Sequence, residues 1–138
     1  MIETEIIIKV VLAVISGGLI GFERQSAKKN AGLRTHILLS LASCVLVVAS
    51  MEVSPIELTR VISGIVTGMG FIGAGAIISG ENKIRGITTA ASLWTVTIIG
   101  IVIALGIYDL AILVTLIALV VLWLGKIEYK TKIKKRKK

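Results

Sequence analysis

Residues 64–94 read GIVTGMGFIGAGAIISGENKIRGITTAASLW, and they decide the fold. The stretch is apolar enough for lipid, yet it places six glycines ahead of its first charged residue, Glu81. A helix that only had to span a bilayer would be filled with Leu, Ile and Val. Glycine weakens a helix interior unless another backbone must come close or the helix must bend. This segment is therefore expected to be packed on several sides, or broken, in the middle of a membrane bundle. The polar turn that follows, Glu81-Asn82-Lys83 with Arg85, is the expected place for function.

The rest of the chain agrees with a bundle. Of 138 residues, 55% are hydrophobic and 4% aromatic, with a mean hydropathy of +0.94. That excludes an ordinary soluble domain and points to a polytopic membrane protein. Spanning the hydrocarbon core takes about 20 apolar residues as a helix. Five stretches qualify: 6–22, 33–51, 59–79, 87–106 and 109–125. Ser54-Pro55 closes the second, because proline disfavours helix in the residue before it. Backbone polar groups in lipid must be satisfied internally, so spans of this length are helices and not barrel strands. The expected fold is all-α, with residues 1–125 as one transmembrane domain and 126–138 as a basic cytoplasmic tail. Cys44, the single cysteine, lies in an apolar run and reads as a small buried hydrophobe. Glu3 and Glu5 stand where a signal peptide would be basic, so the first stretch is expected to remain as a span.

The net charge of +8 is concentrated at the end of the chain. Residues 126–138 hold eight Lys and Arg against Glu128, which accounts for +7. A basic segment beside a span suits anionic lipid on the cytoplasmic face, and no nucleic-acid partner is expected. Glu3, Glu5, Glu52, Glu57 and Asp109 fall on one side of the five-span arrangement, with only Lys9 and Arg60 as bases. Arg24, Lys28, Lys29, Arg34, Lys83, Arg85 and the tail fall on the other. Positive residues favour the cytoplasm, which predicts an external amino terminus and an internal carboxyl terminus.

Polar residues close to the spans need explanation. In GFERQ, residues 21–25, Glu23 and Arg24 have two readings. One is an interfacial pair with Arg24 snorkelling to lipid phosphate; the other has Glu23 facing the bundle and pairing with a cationic residue of a neighbouring helix. In AGLRTH, residues 31–36, Arg34 and Thr35 open the second span, with Thr35 as a candidate cap. His36 and Ser40 share a face. Thr88 and Thr89 are candidate caps for the fourth span, and Ser92 follows Thr88 by one turn. A discontinuous helix pair beside a polar cavity would account for Gly80, Gly86 and these hydroxyls. Gly17 with Gly21, and Gly64 with Gly68, have GxxxG spacing for close helix approach; Gly70, Gly73 and Gly75 extend the second set. No Ser/His/Asp set, phosphate loop or HExxH is present, so an enzyme is not expected.

GFERQ, AGLRT, GMGFIGAGAII and ENKIRGITTAASLW, in that order and spacing, resemble the membrane domain of the MgtC/SapB family. The resemblance runs from Gly17 to Gly106. It implies a five-helix protein of the bacterial inner or plasma membrane, linked to growth in low magnesium and, in pathogens, to life inside macrophages. One branch is thought to act on the proton ATP synthase. The resemblance singles out Glu23, Arg24, Gly32, Leu33, Arg34, Thr35, Gly68, Gly70, Gly73, Gly75, Glu81, Arg85, Thr89 and Trp94. Thr88 stands where some relatives have Asn, and Thr95 where others have Cys. The soluble carboxy-terminal domain of the longer members is absent from this sequence. The expected site is Glu23, Arg24, Arg34, Thr35, Glu81, Asn82, Arg85, Thr88, Thr89 and Trp94.

Two functions compete. One is a non-enzymatic regulator that docks on another membrane protein or on a second copy, as a homodimer or larger homo-oligomer. The other is a transporter or channel for a small ion, with magnesium the ion that the resemblance implies and no other cofactor expected. Magnesium prefers oxygen ligands, and Glu23, Glu81 and Asp109 are the only carboxylates near the spans. Basic neighbours disfavour a dication there, so composition leans towards the regulator.

Overall fold

The computed structural model describes residues 4–80 and 83–136. Five helices follow in chain order: α1 (Thr4–Ser26), α2 (Leu33–Val53), α3 (Leu58–Ala76), α4 (Ile87–Ala104) and α5 (Tyr108–Arg136). A single 3-10 turn, Pro55–Glu57, links α2 to α3. All five helices are long and apolar enough to cross a membrane. The all-α, multi-pass architecture read from the sequence is the architecture found.

The centre of the bundle is α4, not α3. Of its most apolar window 56% is buried, against 6% for α3. Leu93, Val96, Ile99 and Ile103 are completely or almost completely enclosed. Val96, Ile99 and Ile103 form the main core with Ala13 and Ile20 of α1, Cys44 and Val47 of α2, and Ala111 and Leu122 of α5, and Leu93 belongs to a smaller cluster with Ala31 and Met69. Lipid tails are as apolar as these side chains, so what holds the helices together is close van der Waals fit and interhelical hydrogen bonds.

Glycine supplies that fit where α1, α2 and α4 meet. A Cβ on Gly17 would sit 2.7 Å from the His36 carbonyl oxygen, and one on Gly21 would sit 2.8 Å from Leu33 Cα. A Cβ on Gly100 of α4 would be 2.2 Å from Ser43 Oγ and 2.3 Å from the Ser40 carbonyl oxygen. Backbones approach there closer than any side chain allows. Gly100 carries no GxxxG partner on α4, so spacing alone gives it no weight.

The several-sided packing expected for the third helix is not found. Met69 is its one buried side chain, set against Leu93 of α4. A Cβ on Gly64, Gly68, Gly70 or Gly75 would meet nothing within 4 Å, and one on Gly73 meets only Ala90 Cβ at 3.9 Å. In a single chain, α3 is therefore an edge helix whose small residues look outward.

Three boundaries also depart from expectation. The third helix stops at Ala76 instead of running through Ser79, and β1 (Ile78–Gly80) pairs antiparallel with β2 (Lys83–Arg85). The hairpin returns Gly86, at φ +92°, onto the end of α3, where a Cβ would lie 2.0 Å from the Ala76 carbonyl oxygen. Only glycine fits that combination of left-handed backbone and contact. The caps expected from Thr35, Thr88 and Thr89 are absent: Gly32 and Gly86 occupy the N-cap positions with no side-chain cap bond. Finally, α5 does not end at Gly125 but continues to Arg136. One glycine costs a helix about 1 kcal/mol, and the lysine-rich sequence beyond it favours helix.

Candidate functional site

The carboxyl ends of α1 and α3, the amino ends of α2 and α4, and the hairpin lie at one end of the bundle, here termed the basic end. There the glycines of α1 decide what is buried. Because Gly17 and Gly21 let α2 settle on α1, His36 is enclosed with 0% exposure. Its Nδ1 lies 2.8 Å from the Gly32 carbonyl oxygen, and its Nε2 lies 3.1 Å from Ser92 Oγ on α4. Ser92 Oγ in turn lies 2.8 Å from the Thr89 carbonyl oxygen. One imidazole thus ties the start of α2 to the start of α4.

The hydroxyl seam continues towards the middle of the bundle. Ser40, one turn along from His36, is fully buried, and its hydroxyl has no hydrogen-bond partner among the described residues. Ser43 follows and donates its single proton among the carbonyls of Leu39, Ser40 and, across the interface, Thr97 at 3.0 Å. Thr97 donates back to Leu93 of its own helix. His36, Ser40 and Ser43, over about two turns of α2, face Thr89, Ser92, Thr97 and Gly100, over about three turns of α4.

Beside this seam stands a buried charge. Arg24 is 3% exposed, pairs with Glu23 on its own helix, and points an Nη 3.4 Å from the Leu122 carbonyl oxygen of α5. Arg24 does not snorkel outward, and the partner found for Glu23 is Arg24 of its own helix, not a cation of a neighbouring one. Gln25, next in the motif, accepts the Leu33 backbone N–H at 3.3 Å and packs on Gly32, tying the end of α1 to the start of α2. At the opposite end of the bundle, Lys9 is 8% exposed and pairs with Glu5 at 2.8 Å.

The remaining predicted positions are not gathered here. Arg34, Arg85, Thr88 and Trp94 are exposed, and Thr35 is half-buried. Glu81 and Asn82 lie outside the described residues. Among the hydroxyls expected at α4's start, Thr89 is buried and Thr88 is exposed, and Ser92 donates to the Thr89 backbone carbonyl. Thr89 is the one seam residue of the expected site; His36, Ser40, Ser43, Ser92, Thr97 and Gly100, which make up the rest of the seam, are not among its residues. Their signal was spacing: polar residues at 36, 40 and 43 and at 89, 92 and 97 recur on one helical face within otherwise apolar segments.

The profile of the MgtC family matches residues 10–129. The chain belongs to the MgtC family. It is 40% identical over 127 residues to the Escherichia coli (strain K12) protein named "Putative magnesium transporter YhiD", covering 86% of this chain and 59% of that one. It is 40% identical over 113 residues to Protein MgtC of Salmonella typhimurium (strain 14028s / SGSC 2262), covering 82% and 49%. Protein MgtC of Brucella abortus (strain 2308) is 41% identical over 110 residues, covering 79% and 46%. The chain spans between 46% and 59% of the length of these relatives. No solved structure matches it. In this family member the motif residues Gly32 and Thr89 accept hydrogen bonds from the seam, whereas Arg34, Arg85 and Trp94 are exposed.

Proposed function

We propose that this MgtC-family membrane protein serves magnesium homeostasis as a non-enzymatic regulator, docking on another membrane protein in the inner or plasma membrane. The observation that carries this reading is the division of polar groups. Inside the bundle, Arg24, His36, Ser43 and Ser92 are engaged by residues of the same chain. No group of three or more His, Cys, Asp or Glu side chains able to hold a metal ion occurs among the described residues. A hydrated dication needs several oxygens, with one or two carboxylates. The groups with freedom to contact a partner are outside: Arg34, Arg85, Trp94 and the open glycine face of α3. The partner implied by the family resemblance is the proton ATP synthase. In this reading the basic end faces the cytoplasm and the tail lies on anionic lipid.

A second reading, an ion transporter formed by an oligomer, is favoured by the name carried by the E. coli relative. A flux assay separates the two. Purified protein in proteoliposomes is tested with magnesium and with protons. The regulator reading expects no saturable flux and a membrane protein that co-purifies in a manner sensitive to Arg34→Gln and Arg85→Gln. Saturable flux abolished by Glu23→Gln overturns it.

A further inference from the structure

His36 is the single histidine of the chain, and its surroundings fix what each ring nitrogen does. The Gly32 carbonyl oxygen, 2.8 Å from Nδ1, can only accept. Nδ1 therefore carries hydrogen whatever the charge of the ring. Nε2 faces a different kind of partner. Ser92 Oγ can donate or accept, and its one proton has two acceptors within reach, Nε2 at 3.1 Å and the Thr89 carbonyl oxygen at 2.8 Å. With neutral imidazole, the hydroxyl donates to Nε2. With a proton on Nε2, that N–H donates to Oγ, and the hydroxyl proton turns to Thr89. Both states satisfy both ring nitrogens without moving a heavy atom.

We propose that His36 Nε2 is a proton-binding site within the bundle, with the Ser92 hydroxyl as the rotor that lets α2 and α4 hold the proton without losing a hydrogen bond. An ordinary buried imidazole lacks this property. Its second nitrogen usually meets a fixed acceptor or apolar atoms, and one of the two charge states leaves a buried polar group unpaired, which is costly. Charges of both signs stand near His36, Arg24 and Glu23 on α1, paired with each other. On α2 the nearest base, Arg34, is exposed. No ionisable side chain lies on α4, and those described on α3 and α5, Arg60, Tyr108 and Asp109, are at the opposite end. The proposal does not depend on whether the protein regulates or transports.

Nitrogen-15 NMR of ring-labelled protein in lipid nanodiscs tests it, since one histidine gives one pair of signals. At the alkaline end the expected spectrum shows hydrogen on Nδ1 and a bare Nε2. As the pH falls from about 9 to about 4, Nε2 gains a proton reversibly while Nδ1 stays protonated. In Ser92→Ala the charged state loses more than the neutral one, because hydrogen bonds from charged donors are stronger. The midpoint falls by roughly 0.7 pH unit, a fivefold loss of proton affinity. Ser92→Thr, which keeps the hydroxyl, restores it. A bare Nδ1, a ring locked in one charge state across the range, or an unmoved midpoint in Ser92→Ala overturns the proposal. The wild-type spectrum alone decides the first two should the alanine variant fail to fold.

Discussion

Replacing Gly100 with alanine tests the packing argument at its tightest point. The added Cβ would lie 2.3 Å from the Ser40 carbonyl oxygen, where ordinary contact begins at 3.4 Å, so α2 and α4 must part by about 1.1 Å. Ser40 is backbone there and cannot rotate away. Overpacking of this kind costs about 1–3 kcal/mol. Parting also stretches the Ser43–Thr97 bond from 3.0 Å beyond hydrogen-bonding range, adding roughly 1 kcal/mol. The expected loss is about 2–4 kcal/mol. Gly64→Ala and Gly68→Ala are the controls. They put the same methyl group where nothing lies within 4 Å. Alanine favours helix over glycine, so each leaves the monomer unchanged or more stable by about 0.5–1 kcal/mol. Reversible unfolding in mixed micelles, followed by circular dichroism, gives all three values. Ser43→Ala in the Gly100→Ala background relieves only the contact with Oγ, so the double variant stays destabilised. Equal stability of Gly100→Ala and wild type would refute the close α2–α4 contact and the seam built on it.

Other expectations can be checked in the same system. Arg24→Ala removes one member of a buried ion pair and is expected to cost about 3–5 kcal/mol, whereas Arg34→Ala, on the exposed face, falls within about 0.5 kcal/mol of wild type. Gly86→Ala forces a side chain into a left-handed backbone 2.0 Å from a carbonyl oxygen. It should destabilise by at least about 2 kcal/mol and expose the end of α3 to proteolysis. If the open face of α3 meets a second copy, cysteines introduced at Gly64 or Gly68 in a Cys44→Ala background form disulfide-linked dimers in membranes, and one at exposed Leu38 on α2 does not. Neutralising Lys134, Lys135 and Arg136 should weaken co-sedimentation with phosphatidylserine vesicles but not with neutral ones, at about 1 kcal/mol per charge.

What the sequence determined by itself was the number of membrane-spanning helices. Length, hydropathy and the breaks at Ser54-Pro55 and 106–109 are local properties, and lipid leaves a buried backbone no alternative to helix. The motif GFERQ likewise marked Arg24, because a charge beside an apolar span demands a partner wherever it lies. Which helix became central was not local. The glycine content of 64–76 argued for a crowded helix, yet the glycines inside helices that other helices' backbones touch lie elsewhere, at Gly17, Gly21 and Gly100. A glycine permits close approach from any direction, and only the arrangement of neighbours says whether one arrives. The same holds for His36. In the sequence it is a lone histidine near a helix start, whose partners Gly32 and Ser92 stand 4 and 56 residues away. Tertiary packing joined them, because closing α1 on α2 and α2 on α4 left the imidazole no exit to water and a carbonyl and a hydroxyl as its only company.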